Sequence, residues 1–329
     1  MFVLCKRQKV TYTISLEKPI RGTLINTCIG FLHMATSHRE RQYLDLIQTI
    51  VNRGSPEEGR NGKVYTTFGN MMRFSLKDGQ WPLITTKKLA WKTCFHELMW
   101  FLAGQTDNRK LQEKGVHIWD GNASRNFLDS RGLTEYQEGD LGPIYGMQWR
   151  HWNADYTGCE SDYTHKGIDQ LQEVIDQLKN PETRSSRRLL VSAWNPEQLD
   201  KMALPPCHVL MQFHVREGRF LSCSLYQRSG DVGLGVPFNI ASYSLLTHLM
   251  AHHCGLEAEE FVYVLGNAHI YEEHMDVLKT QLERMPLEFP KIRIAPNQDR
   301  NQIQEYVLDD IQWITPYKHH ETLKMKMIA

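Results

Sequence analysis

Two alternating runs separated by a three-residue turn leave the second half of the chain little choice of architecture. Cys207 to Val215 (CHVLMQFHV) puts Val209, Met211, Phe213 and Val215 on one face. Arg216 to Gly218 make the turn, and Arg219 to Gln227 (RFLSCSLYQ) returns with the same period. A period of two sends side chains alternately to the two faces of a strand, so the pattern predicts a hairpin with one buried face. That face needs a cover. Residues 240–254 supply one in helical period, with Ile240, Tyr243, Leu246, Leu249 and Met250 aligned.

The remaining patterns fit the same class. Tyr43, Leu44, Ile47, Ile50 and Val51 predict a helix starting near residue 40, ended by Asn52, Gly54 and Pro56. Residues 55–63 (SPEEGRNGK) read as a polar loop. Lys92 to Leu102 reads as a helix with Phe95, Leu98, Met99 and Leu102 on one face and Gly104 after it. Residues 120–145 are loop-rich. Ile168 to Lys179 reads as a helix with Leu171, Val174, Ile175 and Leu178 inward and Pro181 beyond. Arg188 to Trp194 and Phe261 to Leu265 read as strands, and Tyr271 to Met285 as a helix stopped by Pro286. The expected fold is a single α+β domain over residues 39–329, a mixed or antiparallel sheet packed with long helices.

Residues 1–38 lack a clear period and are expected to form an extension. They are basic, with Lys6, Arg7, Lys9, Lys18 and Arg21 against Glu17 in the first 33. Three readings stand: a dispensable tail, a mitochondrial-type transit segment, or sequence upstream of a working start at Met34. No secretory signal fits. Over the 329 residues, 38 basic and 38 acidic side chains cancel. That balance argues against a general nucleic-acid coat protein and leaves room for a local anion pocket. No apolar run approaches the length of a membrane span. The seven cysteines are scattered without a CxxC pair, which points to a reducing, cytoplasmic compartment, with nuclear or mitochondrial placement left open.

Three segments carry candidate chemistry. In LPPCH (204–208), Cys207 follows two stiff prolines at the mouth of a strand. An isolated cysteine is more often a small buried hydrophobe. It becomes a nucleophile only as thiolate, a state that arginines such as Arg187, Arg188 and Arg228 favour. YQRSGDVGLGVPFN (226–239) joins a strand to a helix through Gly230, Gly233 and Gly235. Its adjacent Arg228 and Ser229 suit a phosphate, although such a stretch is equally an ordinary turn. Asn239 is either a helix cap or an amide that reads a donor–acceptor edge. In GNAHIY (266–271), ending a strand and opening a helix, His269 and Tyr271 share a face and could hold a sugar hydroxyl, or simply pack in a core. His248 and His252 are spaced i, i+4 but lack a carboxylate or cysteine partner motif, and no metal site is expected.

Taken in order, DLGPIYGMQWRH (140–151), RSSRRLLVSAWNP (184–196), MALPPCH (202–208), YQRSGDVGLGVPFNIASY (226–243), GNAHIYEEH (266–274) and FPKIRI (289–294) resemble the thymidylate synthase family. The resemblance covers about residues 40–329. It implies the family's α+β fold and a homodimer formed through the sheet. It also implies reductive methylation of dUMP to dTMP, with 5,10-methylenetetrahydrofolate as carbon and hydride donor, dihydrofolate as product and no metal.

By position, the resemblance implies that Cys207 adds to carbon 6 of uracil and that Glu97 organises proton transfer, with Tyr145 and His208 beside the base. Arg228 and Ser229, with Gln227 nearby, would hold the nucleotide. Arg187 and Arg188 would reach the phosphate in the neighbouring subunit, and Asn239 would read the base edge. His269 and Tyr271 would bind the sugar 3′-hydroxyl. The folate side would draw on Ile118, Trp119, Asn122, Leu234, Gly235, Phe238 and Tyr271, with Met327, Ile328 and Ala329 closing over it. Asp231 is implied on the catalytic, nucleotide and folate sides.

Departures concentrate at residues 59–69 (GRNGKVYTTFG), one residue shorter than the family's usual RTGTGT loop, with Arg60 the best phosphate candidate there. Asn267 stands for the usual Asp, and Ala329 for the usual Val. Two other readings remain open at this stage. One is a dUMP hydroxymethylase, which Asn239 does not exclude. The other is a regulatory RNA-binding protein using the arginine-lined site.

Overall fold

Alternating patterning builds one six-stranded sheet in the computed structural model, which describes residues 38–59, 61–296 and 300–328. Its strands are β1 (Ser55–Gly59), β2 (Gly62–Ser75), β3 (Leu190–Ser192), β4 (His208–Arg216), β5 (Phe220–Asp231) and β6 (Glu257–Tyr271), in the order β1-β2-β6-β5-β4-β3. β5 and β6 run parallel and every other neighbouring pair is antiparallel, so the sheet is mixed. By contacts the chain divides into Met1–His38 and Arg39–Ala329, and the fold is that of the second unit. The expectations for residues 1–37 lie outside the described residues.

The two faces of the sheet differ sharply. In register across five strands run Met72, Tyr263, Leu225, Met211 and Val191, and beside them Phe74, Phe261, Cys223 and Phe213. All nine are at most 2% exposed. On the opposite face the corresponding row is Met71, Val264, Tyr226, Leu210 and Ser192, all exposed or half-buried.

Helices cover the inner face. They are α1 (Arg41–Arg53), α2 (Trp91–Leu102), α3 (Tyr145–Arg150), α4 (Gln170–Lys179), α5 (Gly235–His253) and α6 (Met275–Leu282), with shorter turns at Arg109–Gln112, Asp120–Ala123 and Arg125–Ser130. α5 supplies the crossover that a parallel strand pair requires, and it packs on β5, β6 and α2. Trp81, fully buried, donates its indole N–H to the Ala241 carbonyl of α5 at 2.9 Å. β7 (Lys291–Ile294) and β8 (Ile311–Thr315) form a separate antiparallel pair. No helix of the described residues is long and apolar enough to cross a membrane.

One buried carboxylate ties the start of α1 to the chain before α2. Glu40 accepts the backbone N–H groups of Thr85 and Thr86, both at 2.9 Å, and their hydroxyls at 2.6 and 2.7 Å. Four donors meet the needs of an ionised carboxylate without water.

Several expected boundaries move. Residues 55–63 are not a loop: β1 pairs with β2 from Ser55↔Thr66 to Gly59↔Gly62. β1 is exposed throughout, so only its pairing makes it a strand. β3 is shorter than Arg188 to Trp194. β5 runs on through Arg228, Ser229 and Asp231, and β6 spans Glu257–Tyr271 rather than Phe261 to Leu265. GNAHIY therefore lies within a strand. The following helix is shorter than Tyr271 to Met285, and Ile168 stands outside α4, half exposed. α5 begins five residues before Ile240, at Gly235. Pro237 fits its first turn, where an N–H is not needed.

Candidate functional site

β4 and β5 bring the nucleophile candidate and the arginine together. The N–H of Arg228 donates to the Cys207 carbonyl at 2.9 Å, and its side chain donates to the carbonyls of Pro206 and Pro205, each at 2.9 Å. The guanidinium thus grips the peptide leading to Cys207. Three of its five N–H donors are left for an anion. Its other face covers the Trp194 ring at 5.4 Å. Cys207 is half-buried, and its own N–H donates to the Tyr145 hydroxyl at 2.8 Å.

Around the cysteine the site is aromatic and closed. Tyr145, at the start of α3, lies 5.0 Å from the His208 ring and 6.1 Å from Trp119, centroid to centroid. His208 also meets Tyr243 at 5.3 Å. Burial pushes the His208 imidazole down to about 4, with a hydrogen bond to Asn239 acting the other way, so the ring is neutral at physiological pH. Its Nδ1 is buried without a hydrogen-bond partner.

Glu97, on α2, is 6% exposed and so well buried for a carboxylate. Its Oε1 accepts the Trp119 indole N–H at 2.8 Å. Desolvation raises its pKa to about 7, and the Trp119 bond opposes the rise. A carboxyl group near 7 can both give and take a proton at neutral pH.

A second cluster joins β5, β6 and α5. Gln227 is 2% exposed, donates to the Ser229 carbonyl at 2.8 Å and accepts the Tyr263 hydroxyl at 2.6 Å. Asn239, in the second turn of α5, is 7% exposed and 3.5 Å from the same hydroxyl. It is no helix cap. Asp231 accepts the N–H groups of Gly233 at 2.8 Å and Leu234 at 3.3 Å, which orders the turn leading into α5.

Asp231 pairs in register with His269, and Ser229 with Asn267. Asn267 Oδ1 contacts His269 Nδ1 at 3.0 Å, and the rings of His269 and Tyr271 meet at 5.4 Å. Because β5 and β6 are parallel, their carboxyl ends emerge side by side, which puts the arginine–serine pair next to the histidine–tyrosine pair.

The folate-side candidates lie around these. Asn122 is buried and its Nδ2 has no hydrogen-bond partner among the described residues. Ile118 and Phe238 are half-buried against the core, while Leu234 and Gly235 form the α5 entrance. The C-terminal tail closes this side. His274 contacts the Lys326 carbonyl at 2.8 Å. A Cβ on Gly233 would meet Met325 Sδ at 3.2 Å, so the tail lies directly on the entrance to α5. Met327 is half exposed and Ile328 half-buried. Arg60 and Ala329 lie outside the described residues.

Arg187 and Arg188 are exposed and not part of this cluster. They precede β3, whose Leu190 pairs with Gln212, and Leu189 accepts the Phe213 N–H at 2.8 Å. Six residues of strand, about 20 Å, separate that point from Cys207.

Two further groups at the site were not evident from residue patterns. Lys87, almost fully buried, donates its ammonium to the Gly233 carbonyl, and burial lowers its pKa to about 8. His274 anchors the tail. His274 stood in the quoted GNAHIYEEH segment only as an ordinary polar residue, and Lys87 lay in no segment singled out. His248 and His252 hold no metal cluster: His248 bonds the Gln80 carbonyl at 2.9 Å, and no group of three metal-ligating side chains occurs among the described residues.

A sequence profile of the family described as thymidylate synthase matches residues 41–329. Human thymidylate synthase is 51% identical over 292 residues, covering 88% of this chain and 91% of that protein. The maize bifunctional dihydrofolate reductase-thymidylate synthase is 50% identical over 292 residues, with 88% and 54% covered. A probable thymidylate synthase of Schizosaccharomyces pombe is 51% identical over 298 residues, with 88% and 47% covered. The chain thus spans about half the length of the bifunctional relatives and most of the human one.

Proposed function

The chain belongs to the thymidylate synthase family, and from that premise we propose that it methylates dUMP to dTMP. It draws on 5,10-methylenetetrahydrofolate and releases dihydrofolate. The observation that carries this reading is the single linked cluster of Cys207, Arg228, Gln227, Asn239, His269 and Glu97. One cluster holds a thiol, an anion grip, a base-reading amide and a carboxyl group tuned to neutral pH.

Each part has a physical task. Arg228 and Ser229 bind the phosphate. His269 and Tyr271, at the end of the adjacent parallel strand, hold the sugar. Asn239 accepts from uracil N3–H and donates to O4, while cytosine offers the opposite pattern. The Cys207 sulfur attacks carbon 6, which makes carbon 5 a carbon nucleophile. Tyr145 fixes the cysteine backbone, and neutral His208 lines the base pocket. Glu97 moves protons through ordered water.

The folate supplies a one-carbon unit and a hydride when bound. Asn122 fits it, since a ligand acceptor would satisfy its orphaned amide donor. Ile118, Trp119, Leu234, Gly235 and Phe238 would line its site, Asp231 and Tyr271 would face both substrates, and residues 325–329 would exclude water. No part of this chemistry calls for a metal.

The active unit is a homodimer joined through the sheet. The outer row of Met71, Val264, Tyr226 and Leu210 supports that assembly. So do the positions of Arg187 and Arg188, too far along β4 to serve their own Cys207 but exposed for a neighbour's phosphate. Arg60 would add to that phosphate site. Residues 39–329 form the catalytic domain and residues 1–38 an extension. Dispersed free cysteines support a reducing, cytoplasmic setting. The test is Cys207→Ser. Turnover, read as dihydrofolate absorbance with dUMP and the folate, is expected to fall at least about 10³-fold, while dUMP binding stays within several-fold. Undiminished turnover refutes the nucleophile, and a hydroxymethyl product by mass refutes methylation.

A further inference from the structure

Two amides of the site meet at one buried hydroxyl. Tyr263 lies on β6 at 0% exposure. Its O–H donates to Gln227 Oε1 at 2.6 Å and reaches Asn239 Oδ1 at 3.5 Å. Gln227 has no rotational choice. Its nitrogen is committed to the Ser229 carbonyl at 2.8 Å, so its oxygen must face the tyrosine. Asn239 is bonded to the His208 ring, and its Oδ1 takes only a weak share of the Tyr263 proton, at 3.5 Å.

The two ends of a carboxamide have nearly the same shape, and a flip exchanges donor for acceptor. Uracil offers a donor at N3 and an acceptor at O4, and cytosine offers the reverse. An amide free to flip would therefore read both bases. Discrimination needs a group that forbids the flip, and shape alone cannot supply it.

We propose that Tyr263 is a positioning residue that determines pyrimidine specificity: its hydroxyl fixes the Gln227 carboxamide outright and, shared weakly toward Asn239 Oδ1 beside the His208 ring, biases the Asn239 amide to the orientation that accepts a uracil edge and refuses a cytosine edge. The proposal rests on the nucleotide reading given above. It extends that reading to a residue that touches neither substrate. Burial drives the phenol far above its ordinary pKa, so the hydroxyl remains a donor throughout the physiological range. The ring stacks on Phe261 with centroids 5.6 Å apart, and a change that removes only the oxygen keeps that packing.

The experiment compares binding of dUMP and dCMP by calorimetry to the full-length chain and its variants. The wild type is expected to prefer dUMP. Tyr263→Phe is expected to weaken dUMP binding about five- to tenfold and to leave dCMP binding unchanged or tighter, narrowing the preference about tenfold. Tyr263→His, which keeps a buried N–H donor, is expected to retain the preference. Should the Phe variant not fold, Gln227→Met opens the same lock from the other side and is expected to narrow the preference too. An unchanged preference in the Phe variant overturns the proposal, as does an equal loss for both nucleotides or a His variant that behaves like Phe. A wild type that binds neither nucleotide overturns the nucleotide reading itself and not this inference alone.

Discussion

Glu40 and Glu97 are both carboxylates shut away from water, at 0% and 6% exposure, yet their surroundings assign them opposite work. Glu40 accepts four hydrogen bonds from Thr85 and Thr86. Glu97 shows a single one, from Trp119, and its pKa rises to about 7. Removing a carboxylate from water is costly, and only the donors around it offset that cost. Where the donors are complete, the side chain is a clamp between two chain segments. Where they are few, the group sits near the balance point between its two protonation states, which is what proton transfer needs. The count of donors, not burial, separates the structural clamp from the carboxyl proposed to transfer protons.

Substitution can break this contrast. Glu97→Gln should lower turnover by 10²- to 10³-fold, within the usual range for a lost acid–base group, with no loss of thermal stability. The same variant tests the electrostatics. A folded-state pKa of about 7 against an ordinary 4.5 means the native protein holds the extra proton between those values. Stability should therefore fall as pH rises from about 4.5 to about 7, by roughly 1.4 kcal/mol per unit from this group, and level off above. Urea unfolding across that window would show the slope, and its persistence in Glu97→Gln would refute the assignment. Glu40→Gln should do the reverse. It should cost about 2 kcal/mol of stability, because the amide's NH₂ must face one threonine pair of donors, while the turnover number of folded protein stays near wild type. A catalytic loss without a shift in unfolding midpoint would dissolve the distinction. Trp119→Phe should have the smallest effect. Removing the one donor that holds Glu97 down should move the limb of the pH–rate profile above 7, by under one unit, with a few-fold loss at neutral pH.

Legibility from sequence followed the same division. β4 and the start of β5 were readable because their burial is one-sided and their period clean, whereas α2 was readable as a helix but is buried nearly all round. β1 was not, since SPEEG is exposed along its length and only its pairing with β2 makes it a strand. β6 was misread in length because Leu265 and Gly266 are both buried, which breaks the alternation just before GNAHIY. At the site, the motif residues from Cys207 to Tyr271 were singled out through the resemblance, and the fold brings most of them together. The burial of Glu97 was not, because helical spacing says nothing about what packs on the far side of a turn. Nor was the Tyr263–Gln227 contact, which joins residues on two strands through side-chain ends that no periodicity encodes.

The pairing of β2 with β6 has a consequence for how the protein comes into being. Val64 and Tyr271 are neighbours in the sheet but about 200 residues apart along the chain. At ribosomal speeds of roughly 5–20 residues per second, β2 leaves the ribosome some 10 to 40 seconds before its partner exists. Throughout that interval the edge of β2 that later pairs with β6 has no strand partner, while β1 and α1, made earlier, can already pack on the rest of it. Contacts this distant make the closing step slow. The nascent chain is therefore most exposed to mispairing at that edge while the second half of the protein is still being translated.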